Sequence, residues 1–292
     1  MSLPSPSGRG HGEGAHYPIP ESFSFSSVSA FRKCPLEYKF KYLLKLPSAG
    51  SAQLSFGNTI HKTLELFLKL WQERLRSAQG DLFDSEKNGK ISVPMFEELK
   101  TLYERSWIDD WYESATQKNE YRAKRGPAIL KNFYEHFIAN PPKPKYIEPW
   151  FKIAMGPYKF VGKIDRIDVS PSPCPLSEGK GNRRLGEGCI IIDYKTGESA
   201  HDKLQKVDKE QLVIYQIAAQ EFLRERVGGL MYWDLVPNHF TEPFVATPEQ
   251  IEKLRSEYTA QIDEIIRTIE NDSFVQAHAD TTRHTCNYQH FL

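Results

Sequence analysis

The residues best suited to chemistry lie in two short segments, GKIDRID and IIDYKT. In an extended strand side chains alternate between faces, so Asp193 and Lys195 share one side while Ile192 and Tyr194 share the other. Asp165 lies on the preceding strand, where antiparallel pairing across the intervening loop sets it beside Asp193. Two carboxylates and an amine then converge. Hydrolysis of a phosphodiester needs hard oxygen ligands of this kind to hold Mg²⁺ or Mn²⁺, which neutralises phosphate charge and acidifies a water, while the amine orients or deprotonates that water. Each segment alone also reads as an ordinary solvated strand, because an exposed Asp–Lys pair is commonplace. Only the combination is specific.

Helical residues can add to this centre. His61 follows Ile60 at the border of an apolar helical face, so its ring can reach a helix–sheet junction, although a lone histidine there also fits simple packing. Gln211 and Tyr215 are spaced i, i+4 and share one face, from which they can touch a phosphate backbone or brace Lys195; the bland reading is a helix burying Tyr215. Glu148 in YIEPWF and Asp168 are auxiliary acids. Strand alternation turns Asp168 away from Asp165 and leaves it outside the site.

The elements that must position these residues divide the chain. Residues 1–21, rich in Pro, Gly, Ser and His, read as a flexible leader. Residues 22–292 read as a single domain: a mainly helical lobe over 22–140 with His61, a catalytic sheet and helix over 146–240, and a C-terminal helix and tail over 247–292. In FSFSSVSAFRKCPLEYKFKYLLKLP a helix is capped by Ser26 or Ser27, divided by Pro35 and stopped by Pro47. A second helix follows Gly57, with Ile60, Leu64, Phe67, Leu68 and Trp71 on one face. Further helices are predicted over 94–117 and 121–139, before PPKPK ends the helical part. Three consecutive strands follow in YIEPWFKIAM, YKFVGKIDRIDV and CIIIDYKT, the last two separated by a Pro- and Gly-rich surface loop over 171–188. Next come a helix in KEQLVIYQIAAQEFLRER, a fourth strand in GGLMYWDLV, and a last helix opened by Thr247, Pro248 and Glu249. The expected architecture is α/β (α+β): a mixed central sheet of four to five strands, flanked by helices, behind an N-terminal helical lobe.

Lys and Arg total 38 and Asp and Glu total 38, so a zero net charge supplies no global attraction to nucleic acid and any basic surface is local. Aromatic and basic residues in FRKCPLEYKFKYLLK and YRAKR can form such a surface, or an ordinary helical core with solvated lysines. No apolar run approaches the roughly 20 residues of a membrane span, and the N-terminus lacks a secretory apolar core, which makes the cytoplasm the default location. Four scattered cysteines do not read as a disulfide framework.

Five segments in order, SFSSVSAFRKCPLEYKFKY, FGNTIHKTLELF, VGKIDRID, IIDYKTG and KEQLVIY, resemble the PD-(D/E)xK nucleases of the RecB and AddB type, the domain that ends many UvrD-like helicases. The resemblance implies a restriction-endonuclease-like core and a metal-dependent deoxyribonuclease. By it, His61, Asp165, Asp193 and the backbone carbonyl of Tyr194 are metal ligands, Lys195 is the catalytic lysine, and Gln211 and Tyr215 match the glutamine–tyrosine motif after the core.

Many members also hold an iron–sulfur cluster on one early and three late cysteines. Cys34 and Cys286 fit two positions, but Arg283 and Leu292 stand where the others belong, so no cluster is expected. A zinc site adding His284 or His290 is conceivable, and burial of Cys34 and Cys286 by packing is the plainer reading. The leading expectation is a nuclease, exonucleolytic or end-processing, in DNA repair or recombination, using Mg²⁺ or Mn²⁺. No Walker-type phosphate loop occurs, so a helicase motor would be another chain. The alternatives are a noncatalytic DNA-binding or assembly module of a helicase–nuclease complex, and a metal-dependent hydrolase of some other substrate.

Overall fold

Serine and proline punctuate the first helices, though the cap is not where the sequence suggests. The computed structural model describes residues 17–46, 50–80, 91–169, 188–197 and 209–280. Helix α1 (Phe25–Lys33) is capped by Ser24, whose hydroxyl accepts from the Ser27 amide while Ser27 Oγ accepts from the Ser24 amide. Ser27 is thus the reciprocal member of the box, and Ser26 lies inside the helix. Pro35 divides the segment as expected: it is the first residue of α2 (Pro35–Tyr38), and Cys34 Sγ accepts from the Glu37 amide. Pro47 lies outside the described residues.

Helix α3 (Ala52–Gly80) begins before Gly57, because Ser51 Oγ caps it by accepting from the Leu54 amide. Gly57 is therefore internal, and it serves packing: a Cβ there would lie 3.2 Å from Thr196 Oγ1, the residue after Lys195. The stretch expected as one helix over 94–117 is α4 (Phe96–Ser106), then an irregular passage, then α5 (Ala115–Asn119). A π-helical turn, Glu120–Arg125, leads into α6 (Gly126–Ala139). Trp107, at the end of α4, is already extended and stacks on Tyr112, so the aromatic pair holds the break.

The strands are shorter and more numerous than predicted. Pro149 cannot donate to a ladder, and the first expected strand splits around Glu148 and Pro149 into β1 (Pro144–Ile147) and β2 (Trp150–Met155). The second splits around Ile164 and Asp165 into β3 (Tyr158–Lys163) and β4 (Arg166–Val169). These two breaks face each other, since the Glu148 amide donates to the Asp165 carbonyl and the Ile164 amide to the Pro149 carbonyl.

Strands β5 (Cys189–Lys195), β6 (Val227–Asp234) and β7 (His239–Phe240) complete a five-stranded mixed sheet in the order β1-β4-β5-β6-β7, with β2 and β3 forming a separate two-stranded sheet. Pairing is antiparallel except for β5 with β6, which are joined through α7 (Glu210–Glu221). The fully buried run of β6 suits an interior parallel strand. One face of the sheet presents Ile190, Ile192, Tyr194, Met231 and Trp233 to α3, α4 and α6, while α7 covers β5 and β6. Helix α8 (Pro248–Glu270) opens at Thr247, whose hydroxyl accepts from the Gln250 amide, and α9 (Phe274–Asp280) follows. Among the described residues no helix is long and apolar enough to cross a membrane.

The described residues fall into two compact units. One lies within Met1–Pro47, Met155–Lys159 and Ser256–Leu292, where Arg32 binds Gln261 and lies over Tyr258, and Lys39 binds Asp272. The other, within Ser48–Ala154 and Phe160–Arg255, contains the sheet and every residue of the expected site. Most of the leader (1–16) and of the 171–188 loop, together with Cys174, Cys286, His284 and His290, lies outside the described residues.

Candidate metal centre

Asp165 sits in the bend between β3 and β4 rather than within a strand. The β4–β5 register pairs Arg166 with Ile192, so the next step of the ladder sets Asp165 against Asp193, as strand alternation predicts. Asp165 Oδ2 accepts from the Tyr194 amide at 2.8 Å, and Oδ1 lies 3.4 Å from His61 Nδ1 on α3. The Tyr194 ring turns to the opposite face, where it packs edge-on to His61 and its hydroxyl accepts a hydrogen bond from Arg166.

Glu148 completes this group. Its φ of 53° lies in the left-handed region, a strained conformation for a glutamate, fixed by the backbone bonds between the two strand breaks. His61, Glu148 and Asp165 each offer a ligand atom, all within 4.8 Å of one another. An auxiliary acid and a histidine at the border of a helical face are therefore brought together with Asp165. Asp168 is not: it points to the opposite face and pairs with Arg166.

Asp193 adjoins the group through Lys195. Asp193 Oδ2 lies 2.6 Å from Lys195 Nζ, yet off the direction of a hydrogen bond, so this buried oxygen has no well-directed donor. Lys195 Nζ donates instead to Gln211 Oε1 at 3.0 Å, and Gln211 Nε2 donates to the Tyr215 hydroxyl at 2.7 Å. The i, i+4 pair on α7 thus forms a relay that ends on the lysine.

The charges compete within a small volume. Burial alone would lower the His61 imidazole, but Asp165, with Asp193 and Glu148, outweighs it and lifts the ring to about 9. Burial works to raise Asp165, yet His61, the Tyr194 amide and Lys195 hold it below the usual carboxylate range. Asp193 is pushed up to about 6 by burial, with Lys195 opposing and Asp165 adding. Glu148 is also raised, first by burial and then by Asp165. Acids crowded this closely resist simultaneous ionisation unless a cation is present.

The donor set fits a hard divalent cation. Three carboxylates and an imidazole are available, one carboxylate oxygen is buried without a directed donor, and no thiolate belongs to the group. The family model for the PD-(D/E)XK nuclease superfamily matches residues 22–291. The chain belongs to this superfamily. It is also 26% identical over 226 residues to the AddB-type member of an ATP-dependent helicase/deoxyribonuclease from Carboxydothermus hydrogenoformans, a match that covers 69% of this chain and 18% of that relative. The matched region thus spans less than a fifth of that relative's length.

Sequence reasoning undervalued Glu148. The usable signal was Pro149, which marks the preceding residue as the end of a strand and an irregular backbone position.

Proposed function

We propose that this member of the PD-(D/E)XK superfamily is a Mg²⁺- or Mn²⁺-dependent deoxyribonuclease that cuts single-stranded DNA or duplex ends in repair or recombination, with a cytoplasmic location. The observation that carries this reading is the convergence of His61, Glu148 and Asp165 within 4.8 Å, adjoined by the Asp193–Lys195 pair at 2.6 Å. In this reading His61, Glu148, Asp165 and Asp193 hold the cation, with the Tyr194 carbonyl as a further oxygen. A bound divalent cation supplies charge neutralisation at the scissile phosphate and acidifies water.

The protein's own groups do the rest. The Tyr194 amide fixes the Asp165 carboxylate in the orientation needed to share a ligand group with His61. Lys195 Nζ orients or deprotonates the attacking water, and Gln211 keeps the ammonium from collapsing fully onto Asp193. Tyr215, raised well above its ordinary value by burial, remains a neutral hydroxyl and anchors Gln211. The name of the Carboxydothermus relative joins helicase to deoxyribonuclease, which supports DNA as substrate and a helicase in another chain as partner.

Labelled single- and double-stranded DNA incubated with Mg²⁺, Mn²⁺ or EDTA tests this. The expected result is cutting that EDTA stops and that Asp193→Ala abolishes. Cutting that survives Asp193→Ala would remove the proposed centre, and DNA binding without cutting in either metal would favour a noncatalytic module.

A further inference from the structure

The segments whose composition suggested a strand-binding surface are largely engaged within the protein. Arg122 pairs with Glu104, Lys124 with Glu120, and Lys39 with Asp272. A different surface lies nearer the metal centre. Strand β2 alternates cleanly, with Phe151, Ile153 and Met155 buried and Trp150, Lys152 and Ala154 exposed. Trp150 is 65% exposed, unusual for so large an aromatic side chain. Lys163, at the end of β3, lies over its ring, with Nζ 5.6 Å from the centroid, and the same Nζ is 3.0 Å from Glu148 Oε2. Trp150 follows Glu148 by two residues, at most about 7 Å of backbone.

The ribbon has a firm backing. Phe151, on its buried face, meets Tyr215 edge-on with centroids 6.1 Å apart. Its ring also lies so close to Gly162 that a Cβ there would stand 2.6 Å from Phe151 Cζ. An exposed aromatic face flanked by two lysines, held on a braced ribbon at the rim of an acidic metal cluster, matches the two needs of an unpaired nucleic acid strand. These are a flat apolar platform for a base and cations for the adjoining phosphates. A base already stacked inside a duplex offers no free face to such a platform.

We propose that Trp150, with Lys152 and Lys163, forms a subsite in which an unpaired nucleotide flanking the scissile phosphate stacks, giving the protein its preference for single-stranded nucleic acid. The inference rests on the nuclease reading above, whose metal cluster it adjoins. Trp150 is here a specificity determinant, and Lys163 links it to Glu148.

Binding of fluorescein-labelled oligo-dT and of a blunt duplex of equal length, followed by anisotropy in EDTA, tests the subsite without any chemistry. Wild type is expected to bind the single strand more tightly than the duplex. Trp150→Ala should weaken oligo-dT binding by about tenfold, within the range of one lost base–aromatic stack, and Trp150→Phe should restore most of it. Trp111→Ala, which removes another exposed tryptophan, should bind as wild type. Lys152→Ala should lower the salt slope by about 0.7, the share of one phosphate on a single strand. The proposal is overturned if Trp150→Ala binds oligo-dT as wild type does, if wild type shows no single-strand preference, or if Trp150→Ala instead abolishes self-association in sedimentation. Cutting of the same oligonucleotide by wild type in Mn²⁺ is read separately. Its absence alongside Trp150-dependent binding would sink the nuclease reading and leave the subsite standing.

Discussion

The two faces of the β4–β5 ladder carry the same ingredients and use them differently. On one face Arg166 and Asp168 are two residues apart, and on the other Asp193 and Lys195 are two residues apart. Arg166 and Asp168 are both buried, and they form a bidentate pair, Nε to Oδ1 at 2.8 Å and Nη2 to Oδ2 at 2.6 Å; the remaining guanidinium edge donates to the Tyr194 hydroxyl. Every strong donor direction there meets an acceptor. Across the strand, Lys195 approaches Asp193 off-axis and donates to Gln211 instead, while a buried carboxylate oxygen is left without a directed partner. Acid–base spacing along a strand is therefore not itself a functional signal. The satisfied pair is structure, and the unsatisfied one is a place for something to bind.

The largest test of that contrast is chemical. Lys195→Ala should lower DNA cutting by on the order of 10² to 10⁴, the usual contribution of a positioned proton-transfer group, with little change in melting temperature. Arg166→Met should do the reverse. It strands the Asp168 carboxylate inside the helical face, so a loss of roughly 3–5 kcal/mol in unfolding free energy is expected by denaturant titration. The double variant Arg166→Met/Asp168→Leu should recover most of it, because an apolar pair of similar volume needs no partner. If the double variant is no better than the single one, the pair does more than satisfy itself.

A cation should also tell the faces apart. At a concentration about 100 times its dissociation constant, Mn²⁺ should stabilise the wild type by about 2.7 kcal/mol, since it binds the folded cluster and not the unfolded chain. Asp165→Asn should erase that shift. Asp168→Asn should keep it on a lower baseline, and a shift lost equally in both variants would mean that the faces are not independent.

Periodicity of two made Asp193 and Lys195 legible as neighbours, and it also removed Asp168 from the site, because alternation within a regular strand is purely geometric. The mixed sheet and its helical flanks were legible for the same reason, from β6 and from the face of α3 that runs from Ile60 to Trp71. What escaped were the places where regularity stops. Glu148 adopts its left-handed backbone because Asp165 and Pro149 accept hydrogen bonds across the paired breaks, an effect of tertiary pairing that no propensity encodes. Parity cannot be carried through such a residue, so strand alternation could not aim Glu148 at Asp165 and His61. Gly57 misled in the other direction: it looks like a helix boundary and is instead a close approach to Thr196. The stacked pair Trp107 and Tyr112 likewise breaks a helix that local pattern would continue.

The smallest expected effect concerns the relay that distinguishes Lys195 from Arg166. Arg166 is oriented by two groups on its own face, whereas Lys195 depends on Gln211, which depends in turn on Tyr215. Removing the amide by Gln211→Ala leaves Lys195 free to close onto Asp193, which neutralises both the ammonium that should meet the water and the carboxylate that should meet the cation. Loss of a supporting hydrogen bond of this kind costs about 10- to 100-fold in activity. Because the lysine is mispositioned rather than absent, the loss should fall mainly on kcat, with KM for oligo-dT nearly unchanged. Tyr215→Phe should give a smaller version of the same change, since Gln211 keeps its contact with Lys195 and loses only its anchor. A Gln211→Ala variant that cuts as wild type would mean that Lys195 is held by Asp193 alone, and the difference between the two faces would then lie in the cation rather than in the positioning of the base.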